Sequence, residues 1–223
     1  ENQILAVAGV GYEAELYLVD PADGYRAVLN GTLDWCPSDL AYSPKTGMVF
    51  GIEKTCLRWF EAEDIDGIQG EFELDECTLG DKLVGIAYVG YSDDPSYGPI
   101  EWFYLVSQAG QLFEMGYRIE TREFFYEDIC KTLGYSGIST GDEWEYNSLS
   151  FDPLSGYIFW SVYDGSESRK LYALSYHGFE ADVPVTADFL GAFPKQVSWV
   201  TGLCSRNWQQ EDSASVEEPA NKE

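Results

Sequence analysis

The chain has 223 residues, of which 45% are hydrophobic and 16% aromatic, and this composition is too apolar for a disordered chain. Its 39 acidic and 13 basic residues give a net charge of −26 at pH 7, which argues against binding a nucleic-acid backbone or an anionic membrane surface. No run approaches the roughly 18 apolar residues of a transmembrane helix, so we expect no membrane insertion. The length suits one domain with a substantial core.

Strand-like runs separated by Gly, Pro and Asp turns dominate the chain, and one type of run recurs. Equivalent positions are Leu40, Ile86, Leu149 and Leu203, which lie 46, 63 and 54 residues apart. These spacings are near the roughly 40–50 residues of a propeller blade with inserted loops. The repeat therefore predicts four units.

The recurring run, for example Asp39–Ile52, contains two strands on either side of a turn, and two further strands are expected in every unit. They are Glu15–Asp20 and Tyr25–Leu29, Cys56–Phe60 and Glu71–Leu74, Gln111–Met115 and Glu123–Tyr126, and Lys170–Leu174 and Thr186–Leu190. Each unit then has four strands, but the unit at the N-terminus lacks its first strand, which falls near Val200–Ser205.

The split unit predicts how the fold closes. We predict an all-β, four-bladed β-propeller whose ring closes when the strand near Ile4–Val10 pairs with the strand near Val200–Ser205. Building one blade from both ends of the chain leaves no open sheet edge at the seam. A fragment of a larger propeller is the alternative, and it would leave open edges. Residues 1–208 form the propeller in this interpretation, and residues 209–223 form a disordered acidic tail or a linker.

The repeats resemble those of bacterial secreted and cell-surface β-propeller proteins, the YVTN-like proteins that are associated with Ig-like domains. The resemblance covers about residues 4–206 and rests on four segments: Leu16–Gly24, Leu40–Phe50, Leu149–Trp160 and Leu171–Leu174. It implies an extracellular or cell-surface location and further domains on the same chain. It implies no particular activity, because propellers host many unrelated functions.

Short polar segments between the strands are interpreted as turns. Asp20–Gly24, Ser43–Gly47 and Asp152–Gly156 could suggest calcium binding, but Asp or Ser capping, Pro and a positive-φ Gly explain them more simply. None of the five cysteines lies in a Cys-x-x-Cys pair, which excludes a zinc ribbon. Cys56 and Cys77 could face each other across a hairpin and form a disulfide, or they could be unrelated thiols.

The candidate ligand site lies where the innermost strands begin. Trp35, Trp144 and Trp199 each precede such a strand, and propeller loops of this kind gather at one mouth of the central channel. With Asp39 and Asn147 nearby, exposed indole rings and polar groups would suit a glycan or a peptide. The alternative is that the tryptophans pack between blades. The long segment 131–147 is a further candidate for a binding loop.

Features of an enzyme are scarce in this sequence. His177 is the only histidine and lies in an expected hairpin turn, no Gly-x-Ser-x-Gly elbow is present, and a metal site built on several histidines is impossible. We therefore predict a noncatalytic extracellular binding or scaffold module for a glycan or protein ligand, with no cofactor or metal. The alternatives are a glycan-cleaving enzyme that uses a carboxylate pair and a purely structural spacer.

Overall fold

The computed structural model describes residues 4–10, 13–65, 69–74, 81–124, 131–140, 147–163, 169–175 and 185–193. Nearly all of the regular structure in this part of the chain is β-strand. The strands are β1 (Ile4–Val10), β2 (Glu13–Asp20), β3 (Arg26–Leu33), β4 (Asp39–Tyr42), β5 (Met48–Glu53), β6 (Cys56–Glu61), β7 (Gln69–Glu73), β8 (Leu83–Asp94), β9 (Gly98–Ser107), β10 (Gln111–Arg118), β11 (Glu123–Phe124), β12 (Lys131–Tyr135), β13 (Ser148–Phe151), β14 (Ile158–Val162), β15 (Lys170–Ser175) and β16 (Thr186–Ala192).

The strands form four antiparallel sheets in chain order, and the sheets are the blades of a four-bladed β-propeller. The first blade is β1-β2-β3, the second β4-β5-β6-β7, the third β8-β9-β10-β11 with β12 also on β10, and the fourth β13-β14-β15-β16. The all-β, four-bladed prediction is therefore confirmed. In the first blade β1 corresponds to the second strand of the others. Its expected inner partner, near Val200–Ser205, lies outside the described residues, so pairing at the seam stays a prediction.

Apolar side chains on both faces of each central strand hold neighbouring blades together. Three buried clusters connect the blades, because alternate residues of one strand point to opposite faces of its sheet. Leu16, Val49 and Phe60 belong to the cluster between the first and second blades. Phe50 belongs to the cluster between the second and third blades, and Trp160 to that between the third and fourth.

The predicted turns form as expected. The Asp152 carboxylate accepts hydrogen bonds from the Leu154 amide at 3.1 Å and from the Ser155 hydroxyl at 2.6 Å, and Gly156 follows with φ of 73°. The Asp20 carboxylate likewise accepts the Ala22 amide at 2.8 Å. Neither carboxylate belongs to a group of three or more His, Cys, Asp or Glu side chains that could hold a metal ion, and the described residues contain no such group.

The long segment 131–147 differs from a simple binding loop. Its first five residues form β12, which pairs with β10 over Gln111–Glu114, while β11 pairs with the other end of β10. Thr140 then donates its amide to the Gln108 carbonyl at 2.9 Å. Much of this segment therefore completes the outer edge of the third blade. Residues 141–146 lie outside the described residues.

The expectations for the Cys56–Cys77 disulfide, the His177 turn and the C-terminal tail involve residues outside the described ranges and stay predictions. Cys56 is a free thiol in the structure, and burial raises its pKa. Cys77, His177 and residues 209–223 fall outside the described ranges. Across those ranges, no helix has the length and apolar character needed to cross a membrane.

Candidate functional site

Asp39 lies at the start of the inner strand of the second blade and contacts the inner strands of two other blades. One carboxylate oxygen, Oδ2, accepts the amide of Ile86 on β8 at 3.0 Å and the amide of Leu149 on β13 at 2.8 Å. The other oxygen, Oδ1, accepts the hydroxyl of Ser148 at 3.0 Å. A single side chain thus connects three blades, and it marks the mouth face, which we define as the end of the propeller where the inner strands begin.

The Asp39 carboxyl is 5% exposed, and this burial dominates its ionisation. Burial raises its pKa to about 7, although hydrogen bonds from the amides of Leu149 and Ile86 and from the Ser148 hydroxyl act in the opposite direction. The geometry gives Asp39 a structural role at the axis rather than an exposed position for contacting a ligand.

Asn147 is brought next to this axis contact, as its sequence position suggested. Its side chain is fully buried, and its Oδ1 accepts the amide of Tyr163 at 3.0 Å. Asn147 precedes Ser148, the residue that donates to Asp39, so the two predicted site residues do converge. Both side chains are buried and form hydrogen bonds within the protein. They therefore support the strands at the mouth face and are not exposed to a ligand.

Trp35 is buried between the first and second blades. Its side chain is 5% exposed and packs in the cluster that contains Val49 and Phe60. Gly51 makes room for the ring, because a Cβ at that position would lie 2.6 Å from Cη2 of Trp35. The structure therefore favours the alternative of packing between blades over an exposed stacking surface. Trp144 and Trp199 lie outside the described residues, so their roles stay predictions.

A polar groove lies on the surface beside Trp35, between the first and second blades. It has two adjoining parts, of about 320 Å³ and about 250 Å³, which share Leu33, Asp34 and Gln69. The first part is also lined by Glu13 and the second by Arg58 and Glu71. The groove is large enough for a side chain or a sugar ring. Its lining combines three carboxylates with apolar side chains such as those of Leu33 and Trp35.

Arg58 is the positively charged residue of this groove, and its guanidinium is held in place by several neighbours. Its guanidinium lies 5.5 Å from the centre of the Trp35 ring, and its Nη2 is 3.4 Å from Glu53 and 3.5 Å from Glu71. Asp34 lies at 4.0 Å from Nη1, with its side chain 92% exposed. The exposed carboxylates outnumber the one guanidinium, so the groove offers hydrogen-bond acceptors to solvent.

A second buried acid joins the second and third blades away from the mouth face. Glu101 on β9 is fully buried, accepts the Ser43 hydroxyl, and accepts the Thr46 hydroxyl at 3.2 Å. Burial raises its pKa, and the two hydroxyls and the charge of Lys45 act in the opposite direction. Sequence inspection missed Glu101, although an acid inside the apolar run from Ile100 to Val106 was the available signal.

Four exposed tyrosines lie at the opposite face from the mouth. Tyr42, Tyr91, Tyr97 and Tyr157 are all exposed, and each lies in or beside a hairpin that joins the first two strands of a blade. The Lys45 ammonium lies 4.7 Å from the centre of the Tyr91 ring. These four tyrosines provide a control surface for binding experiments.

The chain is similar to known proteins in its fold alone. No protein-family model and no curated protein sequence matches the chain. Among solved structures, the chain is similar to TolB from Acinetobacter baumannii at 14% identity and a TM-score of 0.40, over 79% of this chain. The chain spans 37% of the length of that TolB structure. A likeness at this level carries no information about ligand, partner or location.

Proposed function

We propose that this propeller is a noncatalytic binding module that works outside the cell and takes a peptide or glycan ligand at the mouth face. The observation that carries the proposal is the groove between the first and second blades, where exposed carboxylates surround a guanidinium held against Trp35. The location outside the cell is supported by the resemblance of the repeats to secreted and surface propellers.

The construction of the fold supports a binding or scaffold role. Asp39 connects three blades and Glu101 connects two, so the groove lies on a scaffold with fixed blade positions. Binding sites on rigid elements lose little conformational entropy when a ligand docks. Modest surface contacts can therefore give measurable affinity on a rigid propeller, because little of their free energy is lost to ordering the site.

The charge of the groove favours one ligand class. Glu13, Asp34 and Glu71 outweigh Arg58, and the net charge of −26 attracts cationic ligands over longer distances. A peptide that carries Lys or Arg is therefore expected to bind more tightly than a neutral glycan. Salt should weaken the interaction, because most of these carboxylates are exposed.

The proposal is tested by measuring the affinity of Lys- and Arg-containing peptides, alongside a glycan array, for the chain and four variants. Asp34→Asn and Glu71→Gln are each expected to weaken binding by a factor of about 1.4 to 5, the range for exposed charge contacts of roughly 0.2–1 kcal/mol. Asp188→Asn is the matched control, since it removes the same charge from an exposed position on β16. It should leave the affinity unchanged.

Three outcomes would contradict this function. Equal weakening by Asp188→Asn would mean that only net charge acts. Loss of binding in Tyr42→Ala, with Asp34→Asn unaffected, would place the ligand on the opposite face. Absence of binding to every peptide and glycan would remove the support for a binding module.

A further inference from the structure

The axis of the propeller accommodates a single carboxyl among the described inner strands. The residues equivalent to Asp39 are Gly85 on β8 and Ser148 on β13. A Cβ at Gly85 would lie 2.8 Å from the Cβ of Leu149, so no larger residue fits there without movement. Asp39 therefore carries a carboxyl at a position where the other described inner strands have a glycine and a serine.

The hydrogen-bond partners of Asp39 are compatible with either charge state of the carboxyl. Its Oδ2 can accept the amides of Ile86 and Leu149 in either charge state. In the neutral acid, a proton on Oδ1 can be donated to Ser148, because a serine hydroxyl accepts as well as donates. The contacts with Ile86, Leu149 and Ser148 are thus all retained when the carboxyl is neutral.

Among the residues that the structure describes, no cation compensates the ionised carboxyl. The groups that act on it are the amides of Leu40 on its own strand, Ile86 on β8 and Leu149 on β13, together with the Ser148 hydroxyl. Among nearby charged residues, Asp81 and Lys82 precede β8, and Glu53 follows the residue that pairs with Asp39 on β5. None of these three is among the influences on Asp39, so within the described part of the chain hydrogen bonds alone offset the burial of its charge.

We propose that Asp39 acts as a proton-dependent latch at the propeller axis. The neutral carboxyl holds the starts of three inner strands together, and loss of its proton weakens the propeller at the mouth face. Because the contacts come from separate blades, the effect is on the packing of blades around the axis rather than on one sheet.

The direction of the pH effect follows from the two states of the chain. Burial raises the pKa of Asp39 from 3.8 to about 7, so between these values the unfolded chain has released the proton and the folded chain still holds it. Raising the pH across this window favours the unfolded state. Asp39 thus contributes its full stabilisation below about pH 4, and that contribution is lost as the pH rises to about 7.

Urea unfolding of the wild-type chain and of Asp39→Asn between pH 4 and pH 9 tests the latch. The asparagine keeps all three contacts, with its oxygen on the amides and its NH₂ on Ser148, but it cannot ionise. The ratio of the wild-type to the variant unfolding constant should rise about tenfold per pH unit, by up to a thousandfold, and then become constant above about pH 7. Other carboxyl groups are common to both proteins and cancel in this ratio.

Asp188→Asn, which removes an exposed carboxyl, should give a ratio that does not change with pH. A constant ratio for Asp39→Asn as well would overturn the proposal. If Asp39→Asn does not fold, the side-chain carboxyl carbon of Asp39 can be titrated by NMR in the wild-type chain. A midpoint near pH 7 supports the latch, and a midpoint below pH 5 contradicts it.

Discussion

Asp39→Ala is expected to lower the free energy of unfolding by about 3–5 kcal/mol at pH 5, where the carboxyl is neutral. The substitution removes the acceptor of the buried amides of Ile86 and Leu149 and one contact of the Ser148 hydroxyl. Each buried amide that loses its acceptor costs roughly 1–3 kcal/mol, so two amides together with the weakened Ser148 contact account for a loss of about 3–5 kcal/mol. Urea denaturation followed by Trp fluorescence measures the change.

The decrease in the free energy of unfolding caused by Asp39→Ala should depend on pH, unlike that caused by substituting an apolar core residue. At pH 8 the wild-type carboxyl is ionised, and alanine removes the cost of burying that charge as well as the hydrogen bonds. The loss caused by Asp39→Ala should therefore be smaller at pH 8 than at pH 5. Asp39→Asn is the matched control and should retain most of the stability at pH 5. A loss below about 1 kcal/mol for Asp39→Ala would mean that the axis contacts contribute little.

Phe50→Ala is expected to destabilise the propeller by about 3–5 kcal/mol, the usual range for a buried aromatic residue. The Phe50 ring is fully buried on β5, and its centre lies 4.6 Å from that of Phe103 and 5.0 Å from that of Tyr117. Phe103 and Tyr117 belong to the third blade, so the substitution opens a cavity between two blades. Thermal and urea unfolding both measure the effect.

Phe189→Ala is the control for this substitution. Phe189 lies on the outer strand β16 and is 58% exposed. The same chemical change there should alter stability by no more than about 0.5 kcal/mol, as for most surface positions. Similar losses in Phe50→Ala and Phe189→Ala would contradict the assignment of Phe50 to the contact between the second and third blades.

The blade pattern could be predicted because it is periodic along the chain. Leu40, Ile86 and Leu149 occupy equivalent places on β4, β8 and β13, and the paired segments after them form the expected outer strands. Periodic apolar residues and turn residues report on local strand formation, and a repeat multiplies that signal. The position of β12 was missed because its pairing with β10 depends on contacts that no local pattern encodes.

The roles of the candidate site residues could not be derived from the sequence, because the same residue types suit a core and a binding site. Trp35 and Asp39 were expected at the mouth, and both are there, but both are buried. Trp35 is covered because Gly51 on the second blade leaves space for its ring. Asp39 is covered because two other blades direct backbone amides at it. Such long-range complementarity appears only when the blades are assembled.

The groove was missed for a similar reason. Arg58 on β6 and Glu71 on β7 are paired across neighbouring strands, so an opposite-charge pair was the available signal. Their combination with Asp34 depends on the first blade packing against the second. Charge patterning along a strand indicates which residues are solvated, but it does not show where two blades leave a gap between them.

Closure of the ring is the central claim, because the axis and the mouth face require four blades around one centre. NMR of the full chain tests it directly through cross-strand contacts between backbone protons of β1 and those of residues 200–205. We expect a ladder of antiparallel contacts, with the β1 amides that point toward the axis protected from hydrogen exchange. If these amides exchange as rapidly as those of an exposed edge strand and residues 200–205 show no contact with β1, the ring is not closed as predicted.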